Sequence, residues 1–195
     1  MIIKDGVGSG NQAKVGSDNK LQVNGVTLTS QEDASICDRA FNLNTGDITL
    51  TTANESAMIY FKNNESQDFV VQTIVAGFRA STGGTTGDPI VLSVIRQPTG
   101  GTIISGATNV DINANRNFGS PAILDGDAYK GAEGNTLTGG DACLRLYQNP
   151  SGRLAAGISL VLQRGNKIGV NVTPPTGNTS LTGYIALIGY LVEEV

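Results

Sequence analysis

The residues of this chain that could form an acid–base pair without histidine are its carboxylates. The 195 residues contain no histidine, the side chain that most proton shuttles, nucleophile-activating bases and zinc sites use. A Ser-His-Asp or Cys-His catalytic unit is therefore excluded. Two carboxylates about 5 to 9.5 Å apart can hydrolyse a glycoside without histidine. The candidates by type are Asp47, Glu55, Asp125, Asp127 and Glu133.

Nothing in the spacing of these carboxylates selects a pair. Carbohydrate subsites usually offer aromatic platforms, whereas aromatic residues are 5% of this chain and tryptophan is absent. We therefore expect that the protein is not an enzyme. An acid–base hydrolase using Asp125 or Asp127 stays open as a third hypothesis.

The sequence Asp125-Gly126-Asp127 begins like a calcium-binding EF-hand loop. Tyr129 stands at the third ligand position and Lys130 replaces the required glycine, so this motif fails. A looser calcium site remains an alternative to a solvated loop tip, and its ligands would be Asp111, Asp125, Asp127 and Glu133.

Two further patterns carry little chemistry. Residues 8–13, GSGNQA, match the letters of the dinucleotide fingerprint, but only a few residues precede them and no helix is expected after them. Cys37 and Cys143 lie far apart and neither belongs to a CxxC motif, so we expect two buried free thiols, with a disulfide as the alternative. No cofactor and no metal are predicted.

Composition and charge limit the partners. Thirteen basic and seventeen acidic residues give a net charge of −4, and no basic patch suited to nucleic acid is visible. No apolar run approaches the roughly 20 residues that span a bilayer, and residues 1–10 do not form a secretory signal. Only 15% of the residues are charged, which permits close self-association. We expect no nucleic-acid or membrane partner, and synthesis in a cytoplasm.

Short strand-like segments separated by turn clusters make up most of the chain. Nothing between them shows helical periodicity, and this pattern is typical of an all-β protein, an antiparallel sandwich or barrel. The predicted strands are residues 47–51, 57–62, 68–78, 90–96, 102–104, 142–148, 154–163, 167–172 and 181–192.

The regions outside these strands differ in character. Residues 1–20 are polar and glycine-rich and form an arm, ahead of a β domain over residues 21–195. Asn24-Gly25 predicts a small hairpin over residues 20–29, and Ser30 with Asp33 three residues on could cap a short turn of helix within residues 31–40. Residues 109–140 are polar and read as a long loop, which is usually functional or ordered by a partner.

Two strands are apolar on both faces, residues 69–78 and 184–192. Such strands need cover from a second sheet on one side and from another element or a neighbouring subunit on the other. Closed homo-oligomers commonly provide that cover.

The beginning of the chain carries a more specific pattern. A DG-x-G-x-G run at residues 5–10 is followed by A-x-V at residues 13–15 and by L-x-V at residues 21–23. This segment resembles the start of many tailed-phage virion proteins, among them capsid decoration or cement subunits, head fibres and some tail-associated proteins. The match covers roughly the first 25 residues.

The resemblance implies a jelly-roll-like β-sandwich with an extended N-terminal arm, assembled as a trimer on the outside of a phage head. The arm would lie on the major capsid protein lattice through Asp5, Gly6, Gly8, Gly10, Lys14 and Lys20. Neighbouring copies would meet through the outer faces of the last strands, at Tyr184, Ile188, Tyr190 and Val192. The protein would be assembled in the bacterial host's cytoplasm and reside on the virion. The alternative is a tail-associated or head-fibre module that recognises a host glycan or surface protein through residues 109–140.

Overall fold

The computed structural model describes residues 2–4, 12–15, 21–22, 29–79, 82–84, 87–110, 115–149 and 152–192. Within them the fold is an all-β antiparallel sandwich, as the strand pattern predicts. One sheet has six strands in the order β11-β8-β13-β6-β10-β9; the other has five, in the order β12-β7-β14-β4, with β5 also paired to β14.

The strands of the sandwich are short to medium in length. They are β4 (Ala40–Asn44), β5 (Ile48–Leu50), β6 (Ser56–Asn63), β7 (Phe69–Phe78), β8 (Ile90–Arg96), β9 (Thr108–Asn109), β10 (Gly126–Lys130), β11 (Asp141–Gln148), β12 (Arg153–Leu162), β13 (Lys167–Thr173) and β14 (Leu181–Leu191).

The first residues form a third, separate sheet. Its strands β1 (Ile2–Lys4), β2 (Gln12–Val15) and β3 (Leu21–Gln22) pair antiparallel in chain order, apart from both sandwich sheets. The A-x-V stretch is therefore in β2, and the L-x-V stretch begins in β3. The predicted hairpin over residues 20–29 lies largely outside the described residues, but β3 pairs back to β2.

The pairing of the sandwich strands is nested. β4 pairs with β14, β6 with β13, β7 with β12, and β8 with β11, so the outermost pair joins β4 to the last strand and each inner strand meets its counterpart. This is a long hairpin folded over on itself, and its four pairs are the eight strands of a jelly roll. Residues 97–140 connect the innermost pair, β8 and β11. They cross to the far edge of the six-stranded sheet, where β10 pairs with β6 and with β9.

Alternating side chains of both sheets meet in the core. The rings of Phe61 on β6 and Phe69 on β7 pack edge to face, with centroids 5.2 Å apart. Leu92, Val170 and Leu187 are fully buried in the same cluster. The burial of these alternating positions fixes the register, because a slip of one residue would turn each apolar set toward solvent.

Two helical segments occur in the described residues, α1 (Ser30–Ile36) and α2 (Thr102–Ser105). The predicted cap is wrong by one position: Thr29, not Ser30, caps α1, and its capping-box partner is Glu32, not Asp33. Thr29 Oγ1 accepts from the Glu32 backbone, while the Glu32 carboxylate accepts from the Thr29 backbone at 2.8 Å. Asp33 instead forms a salt bridge with Arg39.

Three other expectations need correction. The strand predicted at residues 102–104 is the single turn α2, flanked by Gly101 and Gly106, and it buries Ile103. The loop predicted at residues 109–140 contains β10, which the pattern hid because Ala128 is its one buried residue. β4 was not predicted, although Phe41 and Leu43 place two alternating residues in the core.

Candidate functional site

The carboxylates that could have formed a catalytic pair or a calcium site hold loops in place. Glu133 accepts hydrogen bonds from the backbone N–H of Thr51 at 2.8 Å, the Thr51 hydroxyl at 2.7 Å and the backbone N–H of Thr52 at 2.7 Å. These bonds favour the charged carboxylate and lower the pKa of Glu133 from its ordinary value. Asp127 contacts Lys62 at 3.3 Å and the Asn64 amide at 3.3 Å.

The remaining candidates serve other segments. Asp47 pairs with Arg79 at 3.2 Å, and the Asn171 amide donates to Glu55 at 2.9 Å. The Asp125 backbone N–H donates to the Glu65 carboxylate. Across the described parts of the chain, no three Cys, Asp or Glu side chains come together to hold a metal ion. Asp111 lies outside the described residues. The carboxylates of Asp47, Glu55, Asp127 and Glu133 therefore have structural roles in this fold.

The prediction of two buried thiols is wrong in one respect. Cys37 and Cys143 are both free, but both are exposed. Cys37 ends α1, where the chain turns toward β4. Cys143 lies at the bulge in edge strand β11, with its Sγ 3.4 Å from the Val94 carbonyl oxygen.

No helix in the described ranges is both long enough and apolar enough to cross a membrane.

The outer face of the six-stranded sheet is covered by the chain itself. Residues of α2 and of the segment before β11 form a small second core there: Ile103 is 1% exposed and packs with Ala57 and Tyr60, and Leu137 packs against them. Gly169 permits this cover, because a Cβ at that position would lie 2.3 Å from the Leu137 side chain.

A stacked tyrosine pair extends the same cover. The rings of Tyr60 and Tyr129 are 5.7 Å apart and nearly parallel. Burial, aided by the nearby charge of Asp127, raises the pKa of the Tyr60 hydroxyl to about 12. The six-stranded sheet is thus closed on both sides over β6 and β13.

The outer face of the five-stranded sheet has a different character. Because Leu181, Ile185, Leu187 and Leu191 of β14 point into the core, the alternate side chains Tyr184, Ile188 and Tyr190 lie on the outer face, where they are half-buried. Gly77 of β7 makes room for the Tyr184 ring, since a Cβ there would lie 2.7 Å from it. Val192, just after β14, is 41% exposed.

This outer face is almost without charge. Arg153 is the only charged residue in strands β4, β7, β12 and β14. The cross-strand register places Val75 beside Ala186 and Ala155, so small and apolar side chains run from β14 to the edge strand β12. α1 lies against β14 and β4 and buries Ala34. We call the outer face of β7, β12 and β14 the neutral face.

The predicted interface residues therefore share one surface, with Tyr184, Ile188 and Tyr190 on the neutral face and Val192 at its end. Of the predicted attachment residues, Lys14 is in β2. The others lie outside the described residues: Asp5, Gly6, Gly8, Gly10 and Lys20.

Sequence reasoning missed a second surface, the edge of the sandwich between β11 and β12. Each of these strands is the last in its sheet. The aliphatic side chains that turn inward there are only partly buried: Leu144, Leu146, Leu154, Ile158 and Leu160. The sequence predicted a strand at residues 154–163, but a strand pattern does not reveal that the strand edge has no neighbour.

Comparisons with known proteins give no relative to set beside this geometry. No family model matches the chain, and no curated protein matches it. Among solved structures, a crystal structure of the infectious bursal disease virus VP2 subviral particle is similar over 80% of this chain, with 13% identity and a TM-score of 0.14. This chain spans 40% of the length of that chain. A likeness at that TM-score carries no argument.

Proposed function

We propose that this protein is a non-enzymatic structural subunit of a tailed-phage virion that assembles with copies of itself and binds the outer surface of the capsid. The observation that carries the proposal is the neutral face. The carboxylates that were candidates for catalysis support it indirectly, because the hydrogen bonds of Glu133, Glu55 and Asp127 are with loop and strand residues of the fold.

The neutral face has the composition and size of an interface between two copies of this chain. Three strands about 4.8 Å apart, each about ten residues long at about 3.4 Å per residue, form a platform of about 500 Å² in projection. A standard interface takes about 800 Å² of surface from each partner. The platform therefore supplies more than half of one side, and the exposed Val161 and Val192 can extend it. Tyrosine is among the residues enriched in such contacts.

The N-terminal segment is the proposed attachment element. β1, β2 and β3 pair with one another and belong to neither sandwich sheet, so the segment has its own small fold beside the sandwich. Several such segments on one oligomer would bind a repeating shell more strongly than a single copy, because each bound segment raises the effective concentration of the next. A closed ring of three copies is the assembly that the phage resemblance favours.

The test has two parts, mass and attachment. Light scattering of the purified protein should give a multiple of the 20.2 kDa monomer. A variant lacking residues 1–20 should keep that mass and its unfolding temperature but should no longer co-sediment with undecorated heads of the phage that encodes it. Binding of this truncated protein to heads would refute the attachment role of the arm.

The neutral face has its own matched pair of variants. Ala155→Arg places a charge on the neutral face, whereas Ala142→Arg places the same charge on the exposed edge strand β11. Ala155→Arg should lower the mass to 20.2 kDa, and Ala142→Arg should leave it unchanged. A wild-type protein that is monomeric at all accessible concentrations, or an Ala155→Arg variant that keeps its mass, would rule out this face.

One observation favours the alternative, in which residues 109–140 recognise a host surface. The side chain of Phe118 is fully exposed and Ile123 is 60% exposed. Exposed large apolar side chains close together in sequence are typical of a recognition surface. Binding to a host glycan array or to host cells that is lost in Phe118→Ala and kept in Ile36→Ala, another exposed large apolar residue, in α1, would support this alternative over attachment to the head.

A further inference from the structure

A cleft opens at the uncovered edge of the sandwich. Its volume is about 430 Å³, within the range of ligand sites, and it lies where β12 ends and β13 and β11 begin. Leu160, Leu162 and Ile168 form its apolar floor, and Arg96 and Lys167 lie on its rim.

The cleft lies at the edge strand β12. β12 and β11 are the last strands of their sheets, so no sandwich strand fills the gap between them. In the described residues β12 is hydrogen-bonded to β7 alone. The other edge of β12 offers backbone groups to which an extended segment can add as a strand.

A bulge limits how much of this edge can pair. The register of β12 against β7 shifts between Gly157 and Leu160, and Ser159 has a φ of 48°. Such a bulge twists the strand and blocks continuous edge-to-edge pairing between sheets. It leaves Leu160–Leu162 as a short pairing segment directly beside the cleft, which suits a short peptide better than another sheet.

The charges around the cleft are unusual for this protein. The chain has a net charge of −4, yet the cleft has Arg96 and Lys167 on its rim and Arg164 in the adjoining turn. The acidic residue beside them is Asp141, whose carboxylate is 3.8 Å from Arg96, with both side chains mostly exposed. An exposed pair at that distance contributes little, so Arg96 can bind another carboxylate.

We propose that this cleft binds a short extended segment of a partner protein that alternates apolar and acidic residues. The segment adds a strand to Leu160–Leu162 through backbone hydrogen bonds. Its apolar side chains lie on the floor of Leu160, Leu162 and Ile168, and its carboxylates bind Arg96 and Lys167. The proposal does not rest on the virion role, since the site would act the same way on any partner that carries such a segment.

The direct test uses three fluorescent eight-residue peptides with the purified full chain. One alternates valine and glutamate, one valine and glutamine, and one valine and lysine. The glutamate peptide should bind, and more weakly as salt is raised; the glutamine peptide should bind roughly tenfold or more weakly, and the lysine peptide should show no saturable binding. Equal binding of all three peptides, or binding of none, would overturn the proposal.

Matched variants localise the site. Arg96→Glu and Lys167→Glu should each lower the affinity for the glutamate peptide by roughly tenfold or more. Arg79→Glu is the control, because Arg79 is an exposed arginine that also pairs with an aspartate, Asp47, away from the cleft. Val161→Asn changes an exposed position of the cleft lining. It should weaken the binding of both the glutamate and the glutamine peptide without changing the unfolding temperature. If Arg96→Glu and Arg79→Glu bind the glutamate peptide equally well, the cleft is not the site.

Oligomer mass and binding to phage heads are measured without these peptides. A failure of the cleft proposal is therefore separable from a failure of the proposed virion function.

Discussion

The two sheets of the sandwich differ sharply in charge. The strands of the six-stranded sheet contain seven charged residues, Lys62, Arg96, Asp127, Lys130, Asp141, Arg145 and Lys167. The strands of the five-stranded sheet contain one, Arg153. The six-stranded sheet, which carries most of the charges, is also the one whose outer face the chain covers with α2 and Leu137. Tyr184 and Ile188, on the outer face of the five-stranded sheet, belong to neither apolar cluster of the described residues.

This difference shows how residues 97–140 are used. They connect β8 to β11, the innermost pair of the jelly roll, and α2 and Leu137 within them cover the outer side of β6 and β13. The neutral face and the edge of β12 are the surfaces that we propose for contacts with other molecules. The comparison predicts that equivalent substitutions on the two outer faces will have different consequences.

The largest expected effect is at Ile103 on the covered face. Ile103→Ala removes a side chain that is 1% exposed and should lower the free energy of unfolding by about 2–5 kcal/mol. Ile188→Ala on the neutral face should cost about 1 kcal/mol within one subunit, because Ile188 is only half-buried.

Urea unfolding at several protein concentrations measures both. The loss from Ile103→Ala should not depend on concentration, whereas the loss from Ile188→Ala should grow with concentration if copies meet through this face. Equal, concentration-independent losses would contradict the distinction between the two faces.

A smaller effect is expected at the glycines beneath the covering side chains. Gly169→Ala drives a methyl group into Leu137 and should cost roughly 1–3 kcal/mol, because Leu137 is held among Ile103 and Tyr60. Gly77→Ala meets the Tyr184 ring, which can lift toward solvent, so the cost should be lower.

Double variants check this reading by thermal unfolding. Leu137→Ala should recover part of the loss in Gly169→Ala, since it removes the atoms that clash, and Tyr184→Ala should do the same for Gly77→Ala. Additive losses in both double variants would show that neither contact is the cause.

The smallest expected effect is the pH dependence of two carboxylates, one beside each sheet. Glu133 anchors the covering segment to Thr51 and Thr52, and Glu32 caps α1; hydrogen bonds lower the pKa of both carboxyl groups below the ordinary 4.5. Because each pKa is depressed in the folded state, the stabilisation is full above about 4.5 and is lost as pH falls through the lower folded value.

Glu133→Gln and Glu32→Gln should therefore lower the unfolding temperature slightly at pH 7 and match the wild type in strong acid. Glu65→Gln is not a suitable control, since Glu65 also accepts a backbone hydrogen bond, from Asp125. A difference between wild type and variant that persists unchanged at pH 2 would mean that the hydrogen-bonded carboxylate is not its source.

The sequence contained enough information for most strands of the sandwich. Ile90–Arg96 was predicted at its observed bounds, and Leu181–Leu191 within a residue, because apolar runs between glycine and proline turns are strong strand signals. β10 was missed because Ala128 is the one buried residue among its five, so its polar sequence GDAYK resembles a loop. α2 was mistaken for a strand because its β-branched Thr102-Ile103-Ile104 favours strand by propensity, and packing of Ile103 overrides that preference.

The candidate surfaces were predictable to different degrees. Tyr184, Ile188 and Tyr190 share a face because every second residue of a strand points the same way, and this follows from sequence alone. The cleft could not be predicted, because it depends on β12 being the last strand of its sheet. Strand order is set by contacts between residues far apart in the chain, and the sequence pattern of one strand does not contain it.

The nested strand pairing also determines when the fold can be completed during synthesis of the chain. Lys62 of β6 lies opposite Lys167 of β13, so this rung joins positions more than a hundred residues apart. A ribosome has translated most of the chain before β6 receives that partner, and until then this edge of β6 is unpaired. Pairing between strands that lie far apart in the sequence is slow, and apolar surface stays exposed until it is complete. The growing polypeptide is therefore most vulnerable to aggregation just before its last third emerges.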